Sequence, residues 1–242
     1  LGDNLTLDTL RQQYDSVFLG LGLGASRTLG LTGEDAPGLM PAVDYIKTLR
    51  QTDDLGSLAV AKRCIVIGAG NTAIDMATQM ARLGAAEVTL VYRRGVEAMS
   101  ATDHEQEIAK ANGVRMITWA QPDEILLNEQ GQVAGMRFAN TRDQEGRLTP
   151  TGESFEIPAD AVFTAIGQGF EGESLRDATA AELARDGERI HVNEMFQTSL
   201  PNVYAGGDGV KPGQDLTVQA VQHGKLAAHA IHQALAAKQE AA

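Results

Sequence analysis

Cys64-Ile-Val-Ile-Gly68-Ala-Gly70-Asn71-Thr72-Ala73 is the stretch on which the fold turns. Its apolar run ending on a glycine reads as a strand buried on both faces, and Ala73 to Leu83 carries a helical period closed by Gly84. A second apolar run, Glu87 to Tyr92, follows at once. Strand, glycine turn, helix and strand make a βαβ unit, the context in which Gly-x-Gly-x-x-Ala holds a dinucleotide. Gly68 would permit the tight turn, Gly70 would let the backbone approach a pyrophosphate, and Ala73 would let helix and strand pack closely. The helix N-terminus adds free N–H groups and a partial positive charge.

The second strand ends Tyr92-Arg93-Arg94-Gly95, at the place where NAD-preferring sites commonly put an acidic residue for the ribose 2′-hydroxyl. Two guanidiniums there suit a 2′-phosphate through charge-assisted hydrogen bonds, so NADP is expected ahead of NAD. The competing reading is a solvated pair of surface arginines.

Further along, a helix over Asp103 to Ala111 and a strand over Val114 to Thr118 continue the alternation, which predicts a parallel sheet. Glu124 to Leu127, Val133 to Ala139 and the segment around Phe155 to Ile157 are short runs that suit a small antiparallel insertion, with a polar loop from Asp143 to Gly152. Upstream, Asp15 to Gly20 reads as a buried strand, and residues 42 to 50 as a helix with Val43, Ile46 and Leu49 on one face and Tyr45 as a further candidate for it. Asp160-Ala-Val-Phe-Thr-Ala-Ile-Gly167 has the same pattern as Asp15-Ser-Val-Phe-Leu-Gly-Leu-Gly22. The chain closes with a strand over Asn202 to Ala205, a Gly206-Gly207-Asp208 turn and a long amphipathic helix from about Leu216 to Ala236. Asp208 would either accept from a ribitol or ribose hydroxyl or cap backbone amides; both readings stay open.

Bulk properties narrow the chemistry. A formal net charge of −12 argues against a general affinity for nucleic acid or anionic membrane. No apolar run reaches the roughly eighteen residues of a membrane span, and the first residues carry no signal-peptide pattern, so a cytoplasmic protein is expected. The opening Leu1 in place of Met leaves a processed or partial chain open. Cys64 is the single cysteine, read as a buried strand residue; it leaves no intrachain disulfide, Cys-x-x-Cys pair or four-cysteine cluster. The histidines show no metal-ligand spacing and no serine lies in Gly-x-Ser-x-Gly, so neither a metal site nor nucleophilic hydrolysis is expected. Redox chemistry must then rest on a bound organic cofactor.

Several segments together resemble one family, the two-dinucleotide flavoproteins that include the glutamate synthase small subunit and the NADPH/FAD portion of dihydropyrimidine dehydrogenase. They are Tyr14-Asp-Ser-Val-Phe-Leu-Gly-Leu-Gly22, Gly33-Glu-Asp-Ala-Pro-Gly38, Val66-Ile-Gly-Ala-Gly-Asn-Thr-Ala-Ile-Asp75, Val91-Tyr-Arg-Arg-Gly95, Glu105-Gln-Glu-Ile-Ala-Lys-Ala-Asn-Gly-Val114, Thr164-Ala-Ile-Gly167 and Thr198 to Asp208. The resemblance implies an α/β, Rossmann-like fold with an NAD(P)H-binding domain at residues 58–165 inserted in an incomplete FAD domain made of residues 1–57 and 166–242. By the same resemblance Gly68, Gly70, Asn71 and Thr72 would line the NADPH pyrophosphate and Arg93 and Arg94 would take the 2′-phosphate. Ala165, Ile166 and Gly167 would form the turn near the nicotinamide. Gly207 and Asp208 would meet the ribitol and pyrophosphate of FAD, with Thr217 and Val218 near the flavin ring. The function implied is hydride transfer from NADPH to FAD and on to an electron-accepting iron–sulfur or flavin domain or subunit, without a catalytic acid–base pair; the alternative is an NADPH-binding fragment that does not hold FAD by itself. Two features of the family are not in this sequence: its cysteine-rich iron–sulfur region and its first Gly-x-Gly-x-x-Gly unit.

Overall fold

The computed structural model describes residues 4–170, 178–211 and 216–240. The chain forms two compact units, one of residues 26–167 and one of residues 1–25 with 168–242.

In the unit of residues 26–167 a five-stranded parallel sheet runs in the order Leu39–Pro41, Ala161–Ala165, Arg63–Gly68, Glu87–Val91, Arg115–Ile117. Because side chains alternate across a strand, each central strand feeds two cores. Cys64, Val66, Val88, Leu90, Ala161 and Phe163 pack with Ala73, Met76, Ala77 and Met80 of the helix Asn71–Leu83 and with the helices Ala42–Gln51 and Asp103–Ala111. Ile65, Ile67, Val91 and Val162 point the other way, onto Ile125, Val133, Met136 and Phe138 of a three-stranded antiparallel sheet. The unit is therefore three-layered, helices on one face of the parallel sheet and strands on the other.

The antiparallel strands are longer than their apolar residues predict. They span Ala120–Leu127, Val133–Gln144 and Arg147–Pro158. The polar tract expected as a loop from Asp143 to Gly152 is instead mostly strand, turned at Glu145 and Gly146, both in the left-handed region at φ 55° and 78°. That pair makes the tight turn whose twist matches flanking strands. Most residues of Arg147–Pro158 are exposed, so the tract lacks the alternation that marks a half-buried strand.

Residues 26–57 belong with residues 58–167 because Leu39–Pro41 adds an edge strand beside Ala161–Ala165, and the helix after it sets Tyr45 edge-on to Phe163, ring centroids 5.3 Å apart. Tyr45 takes the core position of that helix together with Ile46 and Leu49.

In the other unit Val17–Leu19 pairs in parallel with Val203–Ala205, and a small sheet joins Arg185–Asp186, Arg189–His191 and Val210–Lys211. Leu7, Leu19, Ile190, Val203 and Val210 form its core. The helix Thr217–Glu240 buries His223, Ala227 and Ala230, one face at the 3.6-residue period.

Candidate functional site

Three neighbouring parallel strands end side by side, and the predicted residues of the 26–167 unit leave from those ends. Gly68 pairs with Ala165 on one side, and Ile67 with Val91 on the other. The turn Gly68–Thr72, the pair Arg93 and Arg94, and the segment Ala165–Gly167 therefore share the carboxyl edge of the sheet, where α/β sheets bind ligands.

Gly68 has φ +144°, and a side chain there would run into the Ala165 backbone, its Cβ 2.9 Å from the carbonyl carbon. The need for glycine comes as much from this neighbour as from the turn. Gly70 is the N-cap of the helix Asn71–Leu83, and no side chain caps that end. Asn71 is exposed and Thr72 half-buried at the mouth of the helix. A loop lies over the turn: the N–H of Ala101 donates to the carbonyl of Ala69 at 3.0 Å, and Ser100 Oγ is 3.3 Å from where a Gly70 Cβ would be. The loop leads into the helix Asp103–Ala111, started by a capping box between Thr102 and Glu105.

Arg93 and Arg94 are both exposed, and neither side chain has an ion pair or hydrogen bond among the described residues. Their backbone is held: Thr141 Oγ1 donates to the Arg93 carbonyl at 2.7 Å, and the N–H of Trp119 to the Arg94 carbonyl at 3.0 Å. Asp75, in the second turn of the helix, has its carboxyl raised by burial first and by the Glu105 carboxylate second, against the pull of Arg50. Burial pushes the Cys64 thiol up to about 12, with Asp160 adding to the effect. Gly167, at φ +107°, accepts the N–H of Arg27 at 3.1 Å, and Ile166 packs on the core beneath.

In the other unit Gly207 and Asp208 follow the strand Val203–Ala205 in a single 3-10 turn. The N–H of Gly207 donates to His223 Nδ1 at 3.2 Å, and His223 lies against Phe196 with ring centroids 4.7 Å apart. Composition and spacing gave no hint of His223, because a lone histidine in a helix is as readily a packing residue as a partner to a turn. Thr217 and Val218 open the long helix and are exposed, Val218 to 76%.

The first unit offers an uncapped helix end, a turn with glycine at Gly68 and Gly70 and, at the neighbouring strand end, two guanidiniums without a partner among the described residues, a donor set that fits a dinucleotide with a 2′-phosphate. The second offers a close-approach turn, held by His223, to part of another. Among the described residues no group of three or more His, Cys, Asp or Glu is placed to hold a metal ion, and no helix is long and apolar enough to cross a membrane.

A family model described as pyridine nucleotide-disulphide oxidoreductase matches residues 3–224. The chain is 36% identical to the putative oxidoreductase AegA of Escherichia coli over 96% of its own length and 38% of that protein's. It is 34% identical to the glutamate synthase [NADPH] small chain of E. coli, covering 96% and 52%, and 36% identical to the NADP(+)-dependent formate dehydrogenase subunit beta of Moorella thermoacetica, covering 97% and 34%. The chain thus spans from about a third to about half of the length of these relatives. Among solved structures, thioredoxin reductase of T. acidophilum superposes with a TM-score of 0.71 at 23% identity, over 90% of this chain and 65% of that one. FprA of Mycobacterium tuberculosis in complex with NADPH gives 0.71 at 20%, over 99% and 68%. At these identities the structures speak for the fold alone.

Proposed function

The chain belongs to the pyridine nucleotide-disulphide oxidoreductase family, and from that premise we propose that it binds NADPH on its 26–167 unit and serves hydride transfer to FAD, with electrons passing to iron–sulfur or flavin centres of a partner. The observation that carries this reading is the uncapped helix end behind Gly68 and Gly70, with two arginines at the next strand end that have no side-chain partner among the described residues. Gly68, Gly70, Asn71 and Thr72 would hold the pyrophosphate, Arg93 and Arg94 the 2′-phosphate, and Ala165, Ile166 and Gly167 would line the nicotinamide end. Gly207, Asp208, Thr217 and Val218 would contact FAD. The NADPH and NADP(+) in the names of two relatives favour NADP over NAD, and "small chain" and "subunit" in those names favour a partner.

Bound FAD would supply the acceptor for a two-electron hydride and its onward release one electron at a time. The chain's own task is to bind and orient. Backbone N–H groups at Gly70 to Thr72 fix the diphosphate without a side chain in the way, and the arginine pair fixes the adenosine end, so the reacting end is placed by the sheet edge between them. No side chain is required to move a proton.

A second reading, an NADPH-binding fragment that does not hold FAD by itself, draws on one observation. Among the described residues the strand–glycine turn–helix unit occurs once, at residues 63–83. The visible spectrum of the purified chain, before and after soaking with FAD and removing the excess, separates the two. A retained flavin band that bleaches anaerobically with NADPH is expected for the first; no band in either sample leaves the second.

A further inference from the structure

We propose that Thr141, acting with Trp119, is a positioning residue for nucleotide choice: by fixing the backbone at Arg93 and Arg94 it sets the preference for NADPH over NADH. The inference rests on the 2′-phosphate role proposed for those arginines.

The strand Glu87–Val91 stops before the arginines, so the parallel ladder does not hold them. Other bonds do. The N–H of Tyr92 donates to the Ile117 carbonyl at 2.9 Å, and the N–H of Ala120 to the Tyr92 carbonyl at 3.0 Å. Beyond Tyr92 the only described hydrogen bonds on the arginine carbonyls come from Trp119 N–H, 3.0 Å from Arg94, and Thr141 Oγ1, 2.7 Å from Arg93. Thr141 closes the set, because its own N–H donates to the Trp119 carbonyl at 2.8 Å.

Two features mark this set as held against local preference. Trp119 sits at φ +60°, a conformation strained for a bulky residue that persists only where its surroundings over-determine it. Thr141 follows a register shift in the pairing of Val133–Gln144 with Arg147–Pro158, and such bulges re-aim a side chain. The Thr141 hydroxyl is thereby buried, at 5% residue exposure, and directed onto the Arg93 carbonyl. Since neither guanidinium has a described protein partner, the origin of each side chain is all that the fold controls.

The chemistry of the two nucleotides gives the consequence. A 2′-phosphate needs both guanidiniums at fixed positions, whereas the 2′-hydroxyl of NADH asks nothing of them. Loosening the backbone at Arg93 therefore weakens NADPH and spares NADH. A merely structural loss would weaken both.

The test is to titrate wild type, Thr141→Val and Thr141→Ser with NADPH and with NADH, following nicotinamide fluorescence, alongside thermal melting. Removal of one buried hydrogen bond should raise the NADPH Kd about three- to tenfold in Thr141→Val and leave the NADH Kd within about twofold, with Thr141→Ser restoring wild-type values. An unchanged ratio in folded Thr141→Val, or an equal loss for both nucleotides, overturns the inference while the arginine reading stands. If wild type and an Arg93→Ala Arg94→Ala variant bind the two nucleotides alike, the arginine reading itself fails and takes this inference with it. Should Thr141→Val not fold, Thr141→Ala, which removes the donor, is read the same way.

Discussion

A methyl group on Gly68 would overlap the carbonyl oxygen of Ala165, its pairing partner on the neighbouring parallel strand. The glycine turn and the last strand of the 26–167 unit are thus in direct contact, and the absence of a side chain at Gly68 keeps both in place. Gly68→Ala would face both this overlap and a φ of +144° that alanine rarely adopts. It should destabilise the unit by about 2–4 kcal/mol, read by urea unfolding, and abolish NADPH binding in whatever fraction folds.

Charge at the neighbouring strand end is a separate matter. Arg93→Ala combined with Arg94→Ala removes no described side-chain contact, so the melting temperature should stay put. NADPH affinity should fall roughly ten- to hundredfold, the worth of one or two charge-assisted hydrogen bonds, and NADH affinity should hardly move. Equal effects on both nucleotides would assign the arginines to the pyrophosphate or to solvent.

Asp160 and Arg63 clasp the far end of the same sheet. Arg63 donates to the carboxylate from its backbone N–H at 3.0 Å, from Nε at 3.2 Å and from Nη2 at 2.6 Å, and its side-chain hydrogen bond, more than any other influence, holds the Asp160 carboxyl below its ordinary value. A carboxylate lowered in the folded state stabilises the fold above its ordinary pKa of about 3.9, and that contribution disappears as the pH falls through the folded value. Asp160→Asn should therefore be less stable than wild type at neutral pH, with the gap closing as the pH falls below the ordinary carboxylate range and the Asp160 carboxyl is protonated in the folded state. Both side chains are 40% exposed, so the gap should be modest and should narrow with added salt.

Cys64 should resist thiol reagents. With its thiol pushed up to about 12 and its side chain buried in the central strand, the reactive thiolate is scarce at pH 8. Labelling by a disulfide reagent should follow global unfolding, accelerating in parallel with the urea transition; fast labelling of folded protein would mean that the strand opens locally.

His223 supplies the Gly207 N–H with its acceptor and packs on Phe196. His223→Phe keeps an aromatic ring and removes the acceptor. The Gly207 amide should then exchange with deuterium about tenfold faster, while protection of the strand Val203–Ala205 persists.

What was legible in the sequence follows the range of the forces involved. The strand at Cys64–Ile67 and the helix after it are encoded by neighbours, an unbroken apolar run and then a 3.6-residue period ended by Gly84, which adopts φ +101°. Arg93 and Arg94 could be placed at a strand end for the same reason. The joining of residues 26–57 to residues 58–167 was not legible, because it depends on Leu39 meeting Val162 across more than a hundred residues. Nor was the length of the Arg147–Pro158 strand, whose mostly exposed residues carry no period. Thr141 and Trp119 look ordinary in sequence; a buried hydroxyl on a distant carbonyl and a tryptophan at positive φ are set by tertiary context. His223 escaped for a like reason, since the residue it serves is sixteen positions earlier.

The strand order carries a consequence for how the protein comes off the ribosome. Ala161–Ala165 is the last strand of its unit to be made, yet it lies second in the sheet, between Leu39–Pro41 and Arg63–Gly68. Until it emerges, those two earlier strands have no partner on their facing edges. At roughly 5–20 residues per second the interval from Gly68 to Ala165 lasts on the order of 5–20 s, long compared with helix or hairpin formation. Throughout that interval the nascent chain presents two apolar strand edges with a gap between them one strand wide, which makes this the stage at which a chaperone or a neighbouring chain competes with the proper strand for the place.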